Sequence, residues 1–157
     1  MAVNRFRSHV FILPEDDANR QLAVGFALEF DSRQIQVLRE AGGWLNVCKN
    51  FESDHVQAMR NCPHRAVILL IDFDEDPDRR RSVGTRIPAD LTERVFVLGT
   101  WSEPEALRRS LAATYEEIGR ALARGCRQQD GSILQGELLR HNGQEIERVC
   151  AALAAVS

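Results

Sequence analysis

Lysine is nearly missing from this chain: Lys49 is the only one, so the other basic residues are all arginines. Arginine forks suit phosphate and carboxylate recognition, although a compositional bias of the genome produces the same skew and is the simpler reading. Long apolar runs are missing too. The longest, Ala66 to Ile71, is far shorter than the roughly 20 residues that cross a bilayer. No long apolar segment follows the basic residues of Met1 to Ser8, so no secretory signal is expected, and the expected location is cytoplasmic. Cysteine is sparse: Cys48, Cys62, Cys126 and Cys150 are widely spaced with no CxxC pair, which argues against a zinc knuckle. Reduced, partly buried thiols are the default, and neither Cys48 nor Cys62 has neighbours that would make it a nucleophile. His9, His55, His64 and His141 show no HExxH spacing, and no serine elbow accompanies them. Repeats, low-complexity tracts and linkers are absent as well. A net charge of -3 speaks against a general nucleic-acid coat.

What remains is ordinary globular composition, 44% hydrophobic and 27% charged over 157 residues, enough for one domain with its own core. His9 to Leu13 reads as a strand apolar on both faces, ended by Pro14. Asp16 or Asp17 can cap a helix over Ala18 to Phe30, with Leu22, Phe26 and Phe30 on one face. A second strand is expected over Arg33 to Leu38, a turn at Gly42-Gly43, and one or two short helices over Trp44 to Cys62, split at Ser53. Arg65 to Ile71 and Arg94 to Leu98 are further buried strands, separated by a loop over Asp74 to Asp90 that has room for one helical turn. Ser102 to Arg124 reads as the longest helix, lined by Leu107, Leu111, Tyr115, Ile118 and Leu122 and ended by Gly125. Further helices are expected over Ser132 to His141, closed by Asn142-Gly143, and over Gln144 to Val156. Strands alternating with helices imply a three-layer α/β/α domain, Rossmann-like, with a mainly parallel sheet of four or five strands. The whole of 1–157 reads as one domain, with a core over about 8–125 and a helical extension over 126–157. Ile146, Val149, Cys150 and Leu153 form a late apolar face that either packs home or serves a homodimer or partner protein.

The chemistry lies where strands end. Leu13 leads into Pro14-Glu15-Asp16-Asp17, and Ile71 into Asp72-Phe73-Asp74-Glu75-Asp76. In an open parallel sheet, sites form beyond the carboxyl ends of strands near a switch in strand order. If the strand continues through Asp74, its alternation aims Asp72 and Asp74 to one side. Crowded carboxylates repel one another, and a divalent cation relieves the repulsion; hard oxygen ligands select magnesium or manganese. Helix caps and solvated loop ends are the plain alternative, and they suffice for Asp76 and Asp78.

Val10-Phe11-Ile12-Leu13-Pro14-Glu15 followed by Ile68-Leu69-Leu70-Ile71-Asp72-Phe73-Asp74 resembles the Toprim domain of topoisomerases, primases and related nucleases. Among stand-alone relatives it is most similar to the OLD-type (overcoming lysogenization defect) nucleases. The resemblance covers roughly Val10 to Leu107. It implies a Toprim-like fold and magnesium- or manganese-dependent phosphodiester chemistry on DNA or RNA. In it Glu15 acts as acid, base or ligand, Asp72 and Asp74 hold the metal, and Glu103 or Glu105 of Trp101-Ser102-Glu103-Pro104-Glu105 holds a second ion. The chain departs from that pattern in having Asp16 where the family usually has glycine, and no lysine after the acids; Arg79, Arg80 and Arg81 would clamp phosphate instead. Ser102 to Glu105 also fits a capping box.

A second resemblance is to phospho-receiver signalling domains, a non-catalytic or interaction-module reading of the same fold class. Glu15-Asp16-Asp17 resembles their acidic pair, Asp72 would take the phosphoryl group and Thr100 resembles their switch hydroxyl. Their lysine after a fifth strand has no counterpart, since Lys49 lies elsewhere. His9 is expected to be a satisfied buried histidine, His64 to be exposed, and Trp44 and Trp101 to pack in the core or at its edge.

Overall fold

The computed structural model describes residues 2–128, 130 and 132–155. Strands β1 His9–Pro14, β2 Ile35–Val37, β3 Arg65–Leu70 and β4 Val95–Leu98 form one sheet in the order β2-β1-β3-β4, with every pairing parallel. Helix α1, Asp17–Ala27, joins β1 to β2. Helices α2, Trp44–Asn50, and α3, Val56–Asn61, run through a π-helical turn at Phe51–His55 and lead into β3. Helix α4, Arg79–Gly84, and a 3-10 turn at Ala89–Leu91 lead into β4. Beyond the sheet come α5 Pro104–Leu111, α6 Tyr115–Gln128 and α7 Gly143–Ala154. No described helix is long and apolar enough to cross a membrane.

Strand alternation builds two cores. Val10, Ile12, Ile68, Leu70, Phe96 and Leu98 face α1, α6 and α7, whereas Phe11, Leu13, Val67, Leu69, Val95 and Val97 face α2, α3 and Val83 of α4. Every one of these strand residues is buried, which is why the strands read as continuous apolar runs. From β1 the chain moves one way to β2 and then back past β1 to β3. Right-handed crossovers in opposite directions put α1 on one face and α2 to α4 on the other. The expected three-layer architecture with its helical extension is thus the observed one. The late apolar face of Ile146, Val149 and Leu153 packs home on the first core.

Several local expectations are corrected. The segment 44–62 is not split by a cap at Ser53: the backbone stays helical and only widens into the π-turn. The long helix expected from Ser102 breaks at Ala112, whose φ of 48° is left-handed. Thr114 and Glu117 then start α6 with a reciprocal capping box, Thr114 N to Glu117 Oε2 at 2.8 Å and Glu117 N to Thr114 Oγ1 at 3.2 Å. The box expected at Ser102 and Glu105 does not form, because Pro104 takes the first helical position and Glu103 becomes the cap residue, without a side-chain cap bond. Gly125 does not end α6 but lies inside it. Ser132 to His141 is not a helix; it holds 3-10 turns at Ser132–Gln135 and Arg140–Asn142. Asn142-Gly143 starts α7 rather than closing a helix. The cysteines are not all reduced: Cys126 of α6 and Cys150 of α7 are joined, their Cα atoms 5.3 Å apart, while Cys48 and Cys62 are free. A separation of 24 residues carries no sign of that pairing, which arises only when the two helices pack. Position Val156, the expected end of the last helix, lies outside the described residues.

Helices α1 and α6 approach so closely that glycine is required on both. A Cβ on Gly119 would sit 2.0 Å from the Leu22 carbonyl oxygen, and one on Gly25 would sit 2.1 Å from that of Glu116. Gly119→Ala is therefore expected to destabilise the fold by about 1–3 kcal/mol, even though alanine's helix propensity alone would favour α6 by about 1 kcal/mol. Urea denaturation decides the sign, and a variant as stable as the wild type would show that the helices slide apart freely.

Candidate functional site

The change of direction in the chain falls between β1 and β3, and the acids gather in the crevice beyond their carboxyl ends. Glu15 is still tied to the sheet, its N–H donating to the Leu70 carbonyl at 2.9 Å. Its own carbonyl accepts from the N–H groups of Gly42 at 2.8 Å and Gly43 at 3.2 Å. Those glycines have φ of 85° and 132°, angles that side chains rarely allow, so the turn after β2 can fold onto Glu15. The Glu15 side chain reaches across to the segment just past β3, where Oε2 accepts from the Asp72 N–H at 2.7 Å.

Asp16 caps α1 through Oδ1, which accepts from Asn19 N at 2.9 Å and from Asn19 Nδ2 at 3.0 Å. Asn19 Nδ2 also donates to Asp72 Oδ1 at 2.9 Å. One amide thus ties the acids of both strand ends together. Asn19 is wholly buried and Asp72 is 7% exposed. Burial pushes the Asp72 carboxyl up to about 7; the Asn19 hydrogen bond opposes that shift, and the charges of Glu15, Asp16 and Asp74 add to it. Glu15 is raised as well, chiefly by burial, with the Asp72 N–H and Arg79 pulling the other way.

Asp74 behaves differently from Asp72. The strand stops at Leu70, and Asp74 and Glu75 take left-handed φ of 48° and 58°, so the expected alternation ends and Asp74 turns outward. Its Oδ2 accepts from Arg79 Nη1 at 2.8 Å, and the same nitrogen donates to the Asp72 carbonyl at 2.9 Å. That guanidinium lies 4.7 Å over the Trp44 ring. Arg80 points elsewhere: it donates to the Val97 carbonyl at 2.6 Å, approaches Asn142 and Glu145, and stacks on Phe73. Arg81 is exposed near Asp78. The three arginines therefore do not form one clamp. Glu103 and Glu105 are exposed at the start of α5 and do not figure among the charges acting on Glu15 or Asp72.

Sequence reasoning missed Asn19 as a site residue. It occupies the stripe otherwise filled by Leu22, Ala23 and Phe26, and a polar side chain in a buried stripe is the sign that could have found it. Asn142 was missed too: Nδ2 donates to the Gly99 carbonyl at 2.8 Å and Oδ1 accepts from the Gly99 N–H at 3.3 Å. His9 is the satisfied core histidine expected, with Nδ1 2.8 Å from the Arg7 carbonyl and Nε2 accepting from Arg65 Nε at 3.0 Å. His64 is exposed, and both Trp44 and Trp101 pack at the edge of the second core.

Glu15, Asp16 and Asp72 each have one oxygen engaged, and none of the hydrogen bonds among the described residues uses the other. Among the described residues no group of three His, Cys, Asp or Glu side chains is arranged to hold a metal ion. Fold and site together define a doubly wound α/β chain with buried Asp72 and half-buried Glu15 and Asp16 at its switch point. Comparison with known families, curated proteins and solved structures returns no match.

The raised Asp72 carboxyl has a definite sign in stability. Near pH 5.5 the unfolded chain has lost the proton that the native chain keeps, so stability falls as pH rises from about 4, the ordinary aspartate value, to about 7, the value in the fold. Urea denaturation between pH 5 and 8 without divalent cations should show the wild type losing stability relative to Asp72→Asn across that window. Parallel curves would mean that Asp72 ionises normally.

Proposed function

We propose that this chain performs magnesium- or manganese-dependent phosphodiester chemistry on nucleic acid, DNA or RNA, with Glu15 and Asp72 as its central acids and Asp74 beside them. One observation carries the reading: the Glu15 carboxylate lies against the Asp72 peptide at 2.7 Å, so acids from two neighbouring strand ends share one crevice. The Toprim resemblance points to the same residues.

Glu15, Asp72 and the adjacent Asp16 would hold the ion, whose positive charge offsets the buried carboxylates and stabilises charge developing on phosphate oxygens. The chain's own groups do the rest. Glu15, held partly desolvated, keeps a proton more readily than an ordinary glutamate and can give or take one at its outer oxygen. Arg79 fixes the Asp72 carbonyl and Asp74 together, which orients the loop after β3. Exposed Arg81 is the arginine of the three with its charge open to a phosphate. The first ion requires neither Glu103 nor Glu105; a second ion would draw on them.

A receiver-like module is the competing reading, and specific observations favour it. The order β2-β1-β3-β4 is that of the first four strands of the flavodoxin-like order 2-1-3-4-5. Thr100, 2% exposed, follows β4 with its carbonyl accepting from the Phe73 N–H at 3.0 Å. Against it stands Lys49, on α2 and exposed.

Calorimetric titration of manganese should show binding by the wild type and none by a folded Asp72→Asn, Asp74→Asn variant. The manganese-loaded wild type should nick plasmid DNA or cleave RNA, and Glu15→Gln should lower that rate at least tenfold. Failure of the folded wild type to bind the ion would end the proposal. Acetyl-phosphate labelling of Asp72 with no cleavage would transfer it to the receiver reading.

A further inference from the structure

The end of the sheet opposite the acids is lined with arginine. One stands at or just before the start of each strand: Arg7 before β1, Arg33 before β2, Arg65 on β3 and Arg94 before β4. Every pairing is parallel, so these starts share one edge. There the Val10 N–H donates to the Gln34 carbonyl at 2.7 Å and the His9 N–H to that of His64 at 3.0 Å. Arg65 and Arg94 serve the fold. Arg65 donates to His9 and lies over the Phe11 ring, and Arg94 donates to the carbonyls of Met59, Cys62 and Arg65. Arg5, Arg7 and Arg33 are exposed, and no ion pair among the described residues uses them. Their crowding is felt below: burial lowers the His9 ring, the Arg7 carbonyl opposes that, and the charges of Arg65, His64 and Arg5 lower it further.

A turn sets an aromatic ring among these cations. Asn4 Oδ1 accepts from the Phe6 N–H at 3.0 Å, and the Arg7 N–H reaches the Asn4 carbonyl at 3.2 Å. The Asn4 N–H donates to the Arg33 carbonyl at 2.9 Å and Val3 packs against the second core, which pins the turn beside the start of β2. Its tip is Arg5-Phe6-Arg7, and Phe6 is 92% exposed. The other large exposed apolar residues, Leu28, Leu45 and Leu111, reach 53% at most. A ring held in water by a fixed backbone adds nothing to the core. Flanked by guanidinium groups, it offers a face for a base and charge for the phosphates on either side.

We propose that this edge binds single-stranded nucleic acid, with one unpaired base stacked on Phe6 and neighbouring phosphates on Arg5, Arg7 and Arg33. A duplex fits poorly, because its bases already stack on one another and show no free face. An anionic membrane also attracts arginine, but a single ring gives it little apolar area to bury. The net charge of -3 is no obstacle, since the crevice acids and these arginines lie at opposite ends of the strands. The inference gives the phosphodiester reading a single-stranded substrate, yet it stands without that reading, since binding here needs neither the ion nor Glu15 and Asp72.

Fluorescence anisotropy of labelled oligothymidylate and oligouridylate, with the full chain and EDTA present, reads binding apart from cleavage. Saturable binding of either is expected. Phe6→Ala should weaken it about tenfold, the scale of one stacked base, and leave its salt dependence unchanged. Arg5→Ala, Arg7→Ala and Arg33→Ala together should flatten the slope of log affinity against log salt by about 2, since each phosphate contact on a single strand contributes about 0.7. Phe6→Trp should bind as the wild type does. All four side chains are exposed, so the variants should fold, which circular dichroism checks. No binding by the wild type, equal affinity of Phe6→Ala, or equal affinity for the paired duplex would overturn the proposal. Capture by phosphatidylserine vesicles, lost in Phe6→Ala and unaccompanied by oligonucleotide binding, would overturn it in favour of a membrane contact. Cleavage is read only with manganese, so its failure leaves this binding intact.

Discussion

Where β1 gives way to α1, the parallel ladder with β3 runs out of backbone acceptors. Pro14 is paired with Leu70 and the Glu15 N–H still reaches the Leu70 carbonyl, but the chain then turns into the cap of α1. The next donor beyond β3, the Asp72 N–H, is buried and would be stranded without a partner, at a cost of about 1–3 kcal/mol. The Glu15 carboxylate completes that rung from its side chain. A single hydrogen bond thus closes the strand pair, holds the two acidic segments together and forces a carboxylate into a half-buried crevice.

That solution creates a second problem. Glu15, Asp16 and Asp72 now lie close together with little water, and the nearest cation, Arg79, bonds to the Asp72 carbonyl and Asp74 rather than to the Asp72 carboxylate. Asn19 offsets part of the repulsion by donating to Asp16 and Asp72 at once. A neutral amide relieves desolvation but adds no charge, which is why Asp72 still rises to about 7. Proteins keep such local conflicts mainly at functional sites, where a ligand or ion resolves them.

Much of this was legible in the sequence because it follows from period and composition. The doubly apolar runs of β1, β3 and β4 required two covered faces, and a strand ending at Pro14-Glu15 beside one ending at Asp72 located the crevice. Local sequence also held signals that went unread: Thr114 to Glu117 spells the capping box that starts α6, and Asn19 interrupts an apolar stripe. Other features had no local signal at all. The outward turn of Asp74 follows from left-handed backbone at Asp74 and Glu75, where the loop after β3 is bonded to the loop after β4 through Asp74 N to Ser102 O at 3.3 Å and Glu75 N to Trp101 O at 2.7 Å. The Cys126–Cys150 pair, like the Asn142 clamp on Gly99, exists only through packing of distant segments.

The helical tail is consequently part of the site's frame rather than an appendage. Asn142 grips the Gly99 peptide at both ends, Thr100 follows immediately, and the Thr100 carbonyl receives the Phe73 N–H between Asp72 and Asp74. Arg80 of α4 stacks on the Phe73 ring, and its guanidinium also reaches Asn142 and, on α7, Glu145. His141 packs edge-on against Phe73 as well, with ring centroids 4.8 Å apart. Two loops that carry no regular structure are thereby fixed by one turn of the tail, through the Asn142 clamp and the His141 edge, with Arg80 of α4 bonded to that same turn. The disulfide to α6 anchors α7 one helix length away, so the segment bracing the acids cannot swing freely while that bond is intact. The tail thus serves both the core, through Ile146, Val149 and Leu153, and the loops beyond β3 and β4.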